Sequence, residues 1–152
     1  MSAELIHRLY AALNKRDAEA MAACYTDDAY FRDEAFDLPN ARVRDMWRML
    51  AARGKDLAIE VSGVESDGKT GKAHWDATYT FTQTGRKVLN RIDAEFQFRD
   101  GLICHQIDRF SFWRWSSQAL GPVGYLLGWT PLLQNKVRKN AMAGLEAFIA
   151  KR

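Results

Sequence analysis

The chain has 152 residues, of which 47% are hydrophobic and 12% aromatic, so one domain can bury a core and disorder is not expected. The formal net charge of +3 is modest and dispersed, which does not favour nucleic acid as a partner. No apolar run reaches the ~18 residues of a membrane span. The start of the chain lacks a signal-peptide pattern, and Cys24 and Cys104 lack metal or redox spacing, so we expect packing cysteines in a cytoplasmic protein.

The first part of the chain predicts three short helices and two strands from the spacing of its apolar residues. Asp17 is a good N-cap for the second helix, and Asn40 is expected to cap the third. The third helix places Trp47 on its apolar face and ends at Gly54. The predicted elements are helices 3–13, 18–25 and 41–53 and strands 29–36 and 57–65.

Residues 72–112 predict two successive β-hairpins, and this stretch organises the chain. The three expected strands are 72–82, 86–99 and 102–112. A short helix, an apolar glycine-punctuated segment and a final helix follow at 113–120, 121–131 and 132–151. Helices followed by an antiparallel meander define the α+β class, in a single domain 1–152 whose residues 113–152 form a C-terminal helical extension.

The register of the first hairpin follows from its turn. A two-residue turn at 84–85 predicts that Tyr79 pairs with Asn90 and Trp75 with Ala94. One face of the hairpin is then almost wholly apolar, whereas a slip of one residue would mix charged side chains into it.

Two registers are open for the second hairpin. A two-residue turn at Asp100-Gly101 would place His105, Ile107 and Arg109 on the apolar face. A three-residue turn with Gly101 as a left-handed bulge residue is favoured, because it places more bulky apolar residues there. This register gives an apolar face of Trp75, Ala77, Tyr79, Phe81, Val88, Asn90, Ile92, Ala94, Phe96, Leu102, Cys104, Gln106, Asp108 and Phe110.

Asp108 is the one carboxylate on that face. Burying an unpaired carboxylate is unfavourable, so Asp108 is expected to be paired, to have a raised pKa or to meet a ligand. A purely structural bond to a backbone or cationic group is an equal alternative. The opposite face aligns His74, Glu95 and His105, which could bind a metal, but cross-strand ion pairing is the favoured interpretation and no metal is expected.

Two stretches carry a family resemblance. The run RLYAALNKRDAEAM at 8–21, continued by CYTDDAYFRD at 24–33, looks like the opening of NTF2-like proteins. The run FRDGLI at 98–103, followed by Asp108-Arg109-Phe110, resembles a strand of the SnoaL-like branch, which has ketosteroid isomerase, limonene epoxide hydrolase and polyketide cyclase relatives. The resemblance implies a cone-shaped fold, with N-terminal helices packed on a curved antiparallel sheet that encloses a pocket. It also implies a homodimer that takes a small apolar ligand and needs no cofactor.

The resemblance assigns roles position by position. Asp33 falls where ketosteroid isomerase has its general base, but the positions of the oxyanion hole look like Leu9 and Ala94, and Tyr10 is one residue away. Steroid isomerisation is therefore not favoured. Asp108 falls at the water-activating aspartate of the epoxide hydrolases and at the acid/base aspartate of the polyketide cyclases.

The epoxide hydrolases also use an Arg-x-Asp pair, and the matching positions here look like Trp75 and Ala77. The cyclase pattern is contradicted least, since it needs one positioned carboxylate in an apolar pocket. We therefore expect acid/base catalysis of isomerase, cyclase or hydrolase type on an apolar oxygenated substrate, with Asp33 and Asp108 as catalytic residues. The substrate contacts are expected from Tyr79, Asn90, Trp75, Gln106, Phe110 and Trp47.

A non-catalytic ligand-binding or dimer-scaffold protein is the alternative. The apolar segment 121–131 is expected to close the pocket or to pack across a dimer rather than to contact a membrane, because glycine and proline interrupt it.

Overall fold

A computed structural model of the protein describes residues 2–151. Its helices are α1 (Ser2–Asn14), α2 (Ala18–Ala22), α3 (Ala41–Arg53), α4 (Phe112–Ala119), α5 (Pro122–Leu127) and α6 (Pro131–Ala150). Its strands are β1 (Tyr25–Arg32), β2 (Asp37–Pro39), β3 (Ala58–Ser66), β4 (Thr70–Phe81), β5 (Arg86–Arg99) and β6 (Leu102–Arg109). The predicted α+β class and the C-terminal helical segment are confirmed.

The six strands form one curved sheet in the order β2-β1-β6-β5-β4-β3. All neighbouring strands are antiparallel except β1 and β6, which run parallel. The helices α1 and α3 pack their apolar sides against the concave face, where Leu9, Met46 and Phe96 belong to one buried core. Burial of such side chains contributes roughly 1.5–3 kcal/mol each.

The predicted register of the first hairpin is wrong by two residues. The loop has four residues, so Phe81 pairs with Arg86, Tyr79 with Val88 and Trp75 with Ile92. The amide of Gly85 bonds back to the Phe81 carbonyl at 2.8 Å. A shift of two residues returns every side chain to its expected face, so the concave wall keeps its members although its cross-strand partners change.

This loop is longer than predicted because it is fastened to α4. The Thr84 hydroxyl donates to the Ala119 carbonyl at 2.5 Å, and the Arg86 guanidinium donates to the Gln118 carbonyl at 2.8 Å. Contacts with a distant helix, rather than the local turn sequence, therefore set the loop length.

The second hairpin combines the two predicted registers. Its turn has two residues, Asp100 and Gly101, both with positive φ (54° and 75°), so the predicted three-residue turn is wrong. A bulge at Cys104 then shifts the register between Gln97 and Phe98. The bulge restores the favoured facing of Gln106 and Asp108, which lie opposite Phe96 and Ala94.

Leu102 and Cys104 do not join the concave face as predicted. Phe98 pairs with Ile103, which is fully buried, while Leu102 pairs with the exposed Arg99. The Cys104 thiol lies 3.5 Å from the Gln97 carbonyl. Both cysteines are free, and Cys24 packs in the core.

The boundaries also differ around the second helix. It ends at Ala22, and Tyr25 begins β1 by pairing with Ile103 of β6, so the predicted strand 29–36 starts too late. The strand ends at Arg32 because Asp33 opens a turn. Asn40 precedes α3 as predicted, but its side chain forms no capping hydrogen bond.

The C-terminal extension covers one end of the sheet. Two buried glycines of the α5 region, Gly124 and Gly128, contact Ser116 of α4. The final helix packs on α3 through buried Leu145 and an ion pair between Glu146 and Arg42. Over residues 2–151, no helix has the length and apolar character needed to span a bilayer.

The contact of α5 with α4 predicts a large difference between two glycine substitutions. A Cβ at Gly124 would lie 1.8 Å from the Ser116 carbonyl oxygen, so Gly124→Ala should lower the free energy of unfolding by about 3 kcal/mol. Gly144→Ala is the matched control, because its Cβ would meet only Arg53 at 3.4 Å in a helix that favours alanine. Urea denaturation measures both, and equal midpoints for the two variants would contradict this packing.

Candidate functional site

A cavity of about 520 Å³ lies between the concave face of the sheet, α3 and the C-terminal helices. This volume is in the range of small-molecule sites. Its wall is mainly apolar, and its titratable members include Asp33, Asp108 and Tyr79. Among the residues expected to act at the site, those lining the cavity are Asp33, Asp108, Tyr79, Asn90, Trp75, Phe110 and Trp47. Gln106 is fully buried behind the wall.

Asp108 is a buried acid with little hydrogen bonding. Its side chain belongs to a residue only 3% exposed, and its Oδ1 accepts one hydrogen bond, from Gln106 Nε2 at 3.0 Å. Burial raises the pKa of Asp108 well above its ordinary value, and nearby Asp33 raises it further, whereas Gln106 and Trp75 lower it. Desolvation is the largest of these effects, so the neutral form of Asp108 is favoured over its charged form.

A chain of hydrogen bonds orients Gln106. The indole of Trp47 donates to the Tyr25 hydroxyl at 2.9 Å, and that hydroxyl donates to Gln106 Oε1 at 2.6 Å. Because an indole N–H only donates, the hydroxyl proton of Tyr25 must point to Gln106. The amide group of Gln106 is thereby fixed with its NH₂ toward Asp108. Since Oδ1 of Asp108 accepts this bond, the acid proton is expected on Oδ2.

Asp33 is the second carboxylate at the cavity. It follows β1, and its Oδ1 accepts the N–H groups of Ala35 and Phe36, both at 2.7 Å. Burial raises the pKa of Asp33 to about 6, although those two backbone bonds lower it. Its charge raises the pKa values of Asp108 and Tyr79, so the three groups share one electrostatic environment.

Two uncharged polar groups complete the wall. The Tyr79 hydroxyl accepts from Trp115 Nε1 at 2.8 Å and keeps its own proton to donate, since burial raises its pKa to about 12. Asn90 is 6% exposed, and its side chain has no hydrogen-bond partner within residues 2–151. The Asn90 amide therefore faces the cavity, where it can bind a polar group of a ligand.

Sequence reasoning missed Tyr25. The apolar spacing predicts that Tyr25 ends a helix, whereas the structure brings it to Gln106 through the parallel pairing of β1 with β6. The sequence carries no local signal for that pairing.

Tyr10 lies one residue away from the position that the resemblance assigns to an oxyanion hole. Its ring packs on Trp75 at 5.2 Å, and its hydroxyl is buried without a partner among the described residues. Burial and then Asp108 raise its pKa well above the ordinary value. Tyr10 therefore lies close to Asp108 beneath the cavity wall.

The residues considered for a metal make separate contacts on the outer face. The ring nitrogens of His74 bond to Asp93 at 2.9 Å and to Asp76 at 2.7 Å. Glu95 pairs with Arg109 at 2.7 Å, and His105 packs against the Tyr30 ring. In the described part of the chain, no three His, Cys, Asp or Glu side chains converge as metal ligands.

The chain belongs to the SnoaL-like domain family, which matches residues 6–106. The resemblance to NTF2-like proteins and their SnoaL-like branch is therefore confirmed. No curated protein sequence matches the chain.

Solved structures share the fold. A protein of ketosteroid isomerase-like fold from Catenulispora acidiphila, in complex with trimethylamine, is 14% identical with a TM-score of 0.69, over 84% of this chain and 98% of that one. An LEH-like epoxide hydrolase from M. tuberculosis is 17% identical with a TM-score of 0.65, over 87% of this chain and 94% of that one. IdmH, a candidate polyketide cyclase from Streptomyces antibioticus, is 21% identical with a TM-score of 0.64, over 78% and 97%. These likenesses establish the fold.

Removing the Tyr25 hydroxyl should be far more damaging than removing that of Tyr10. Tyr25→Phe leaves Trp47 and Gln106 with buried unpaired groups and should destabilise the protein by about 2–4 kcal/mol. Tyr10→Phe removes a hydroxyl that has no partner, so its stability should change by less than about 1 kcal/mol or rise. Urea denaturation of both variants tests the hydrogen-bond chain, which would be contradicted by equal losses.

The two aspartates should give distinct pH profiles of stability. A carboxyl whose pKa is raised on folding binds protons more tightly in the folded state, so its ionisation destabilises the protein as pH rises. The stability gained by Asp33→Asn over wild type should grow from about pH 4, the range of its ordinary pKa of 3.8, and level off above about pH 6. For Asp108→Asn the gain should continue to rise at higher pH.

Urea denaturation from pH 4 to pH 8 measures these profiles. Asp100→Asn, which changes an exposed turn residue outside the cavity, should run parallel to wild type. A profile for Asp108→Asn that also runs parallel to wild type would show that Asp108 is not desolvated.

Proposed function

We propose that the cavity binds a small, mainly apolar molecule bearing a carbonyl-type oxygen, and that Asp108 and Asp33 exchange protons with it. The observation that carries the proposal is Asp108, a desolvated acid at the wall of an apolar cavity, held by Gln106. The reaction class is acid/base catalysis of cyclase, isomerase or hydrolase type. No step requires a cofactor.

The two carboxylates have different roles because their environments differ. Asp33, with a pKa of about 6, is mostly ionised at neutral pH and can remove a proton from carbon next to the carbonyl. Asp108, whose neutral form burial favours, donates its Oδ2 proton to the oxygen as negative charge develops there. Return of both protons closes the cycle in an isomerisation. In a cyclisation the enol carbon instead attacks a second carbonyl carbon of the same ligand, the Asp108 carboxylate takes back the enol proton, and the new alkoxide takes the proton held by Asp33.

Tyr79 and Asn90 are the proposed oxygen-binding groups. Tyr79 has a hydroxyl proton free to donate, and the Asn90 amide lines the cavity and forms no hydrogen bond within residues 2–151. Such donors stabilise a developing oxyanion when they are preorganised in a desolvated site. Trp75, Phe110 and Trp47 supply apolar wall around the ligand.

The cyclase pattern receives more support than the epoxide hydrolase pattern. Trp75 and Ala77 occupy the positions where the Arg-x-Asp pair of the hydrolases is expected, and neither can hold a water or an epoxide oxygen as that pair does. A single positioned acid with a nearby base is sufficient for a carbonyl reaction.

Binding without catalysis is the second candidate. It is favoured by the two backbone hydrogen bonds to Asp33 Oδ1, which give that carboxylate a structural role in its own turn. In this case the cavity would serve a carrier or a scaffold.

Proton exchange at carbon tests the catalytic proposal without knowledge of the natural substrate. The probes are cyclic and aromatic ketones incubated in deuterated buffer, with loss of the α-proton signal followed by NMR. The wild type should accelerate exchange, and Asp33→Asn or Asp108→Asn should lower the rate by at least about 100-fold, as for loss of an acid or a base. Asp100→Asn should match the wild type.

Thermal shift with the same ketones distinguishes the alternatives. Stabilisation of wild type and Asp108→Asn by the same ketone, with no exchange in either, would overturn the catalytic proposal and favour a binding protein.

A further inference from the structure

The helix α5 and its flanks turn their large apolar side chains outward. Three glycines of this segment, Gly121, Gly124 and Gly128, face the protein and are buried. The exposed side chains include Trp129 and Leu132, which are 70% and 81% exposed. We define the α5 patch as the exposed residues Trp113, Val123, Tyr125, Leu126, Leu127, Trp129 and Leu132. An ordinary surface helix has the opposite arrangement, with its apolar side buried.

The α5 patch is held in place by specific packing. A Cβ at Gly124 or at Gly128 would lie 1.8 Å or 2.1 Å from atoms of Ser116, so only glycine allows this approach of α5 to α4. The Trp113 indole donates to the Tyr125 carbonyl at 3.0 Å, which joins the two helices across the patch. The packing of α5 on α4 therefore fixes the orientation of this exposed apolar surface.

The charge of the C-terminal extension differs from that of the rest of the chain. Residues 110–152 contain six basic residues and one acidic residue, Glu146, whereas residues 1–109 contain 16 basic and 18 acidic residues. Glu146 is already paired with Arg42. In the described structure, Arg114, Lys136 and Lys139 form no ion pair with a carboxylate.

We propose that the α5 patch docks the protein on the surface of an anionic phospholipid bilayer. Tryptophan, tyrosine and leucine side chains are suited to the boundary between headgroups and acyl chains, and neighbouring cations are attracted to anionic headgroups. A second copy of the chain fits less well, because two segments of the same positive charge would face each other. The exposed side chains and the charge outweigh the expectation from sequence that this segment forms a lid or a dimer contact.

The cavity opens beside this surface. Val123 and Lys136 are exposed and also line the cavity, so the α5 patch and the cavity share a rim. Docking would place that rim at the lipid. If the proposed function holds, the apolar ligand of the cavity can then enter from the bilayer. We therefore infer that the ligand class is lipid-soluble amphiphiles.

Flotation with liposomes tests the docking. The wild type should float with vesicles of phosphatidylcholine and phosphatidylglycerol and bind pure phosphatidylcholine vesicles at least ten-fold more weakly. Binding to the anionic vesicles should weaken as salt is raised. The membrane proposal would be overturned by absent binding or by equal binding to both vesicle types.

Substitutions locate the surface. Leu126→Ser combined with Leu132→Ser should weaken binding at least ten-fold, and far-UV circular dichroism should show an intact fold because both side chains are exposed. Lys136→Gln combined with Lys139→Gln should weaken it about 25-fold, at about five-fold for each charge. Lys15→Gln combined with Lys69→Gln removes the same charge from exposed positions elsewhere and should weaken it much less.

Two further measurements separate this inference from its alternatives. Asp108→Asn should bind vesicles as the wild type does, so loss of the proposed catalysis leaves the docking result unchanged. Light scattering after size-exclusion chromatography gives the oligomeric state. If the leucine variant dissociates an oligomer of the wild type, the α5 patch faces a second copy and the membrane proposal is overturned.

Discussion

The structure depends on the burial of one carboxyl group. Asp108 lies at an apolar cavity and accepts a hydrogen bond from Gln106, and burial raises its pKa, so its charged form is disfavoured. Gln106 can donate a hydrogen bond to Asp108 because Tyr25 and Trp47 fix the orientation of its amide group. A buried polar network of this kind is stabilising when each member is satisfied and harmful when one is missing.

The backbone features that position this group are irregular. The bulge at Cys104 turns Gln106 and Asp108 toward the concave face, although the tight turn at Asp100 and Gly101 would otherwise direct them outward. The parallel pairing of β1 with β6 brings the hydroxyl of Tyr25 to Gln106. Two departures from a simple antiparallel meander thus create the polar arrangement at the cavity, which agrees with the frequent occurrence of bulges next to functional sites.

The sequence was sufficient for the fold class and for the strands of the meander, because alternation of apolar residues depends only on local spacing. The expected facing of Asp108 is observed, but it results from the bulge at Cys104 and not from the predicted three-residue turn. The sequence was insufficient to predict which residues pair across those strands and which distant elements contact them. The four-residue loop is set by contacts of Thr84 and Arg86 with α4, and the role of Tyr25 depends on a parallel neighbour distant in the chain. The outward facing of the α5 patch was equally hidden, since glycine spacing alone does not reveal which side of a short helix is packed.

The raised pKa of Asp108 is the central claim, and it can be measured directly. Protein labelled with ¹³C at the aspartate carboxyl carbon is titrated by NMR, with Asp108→Asn used to assign the signal. We predict that the Asp108 resonance titrates well above the ordinary aspartate pKa of 3.8, because burial raises the pKa of this carboxyl. A resonance that titrates near the ordinary aspartate pKa of 3.8 would contradict it.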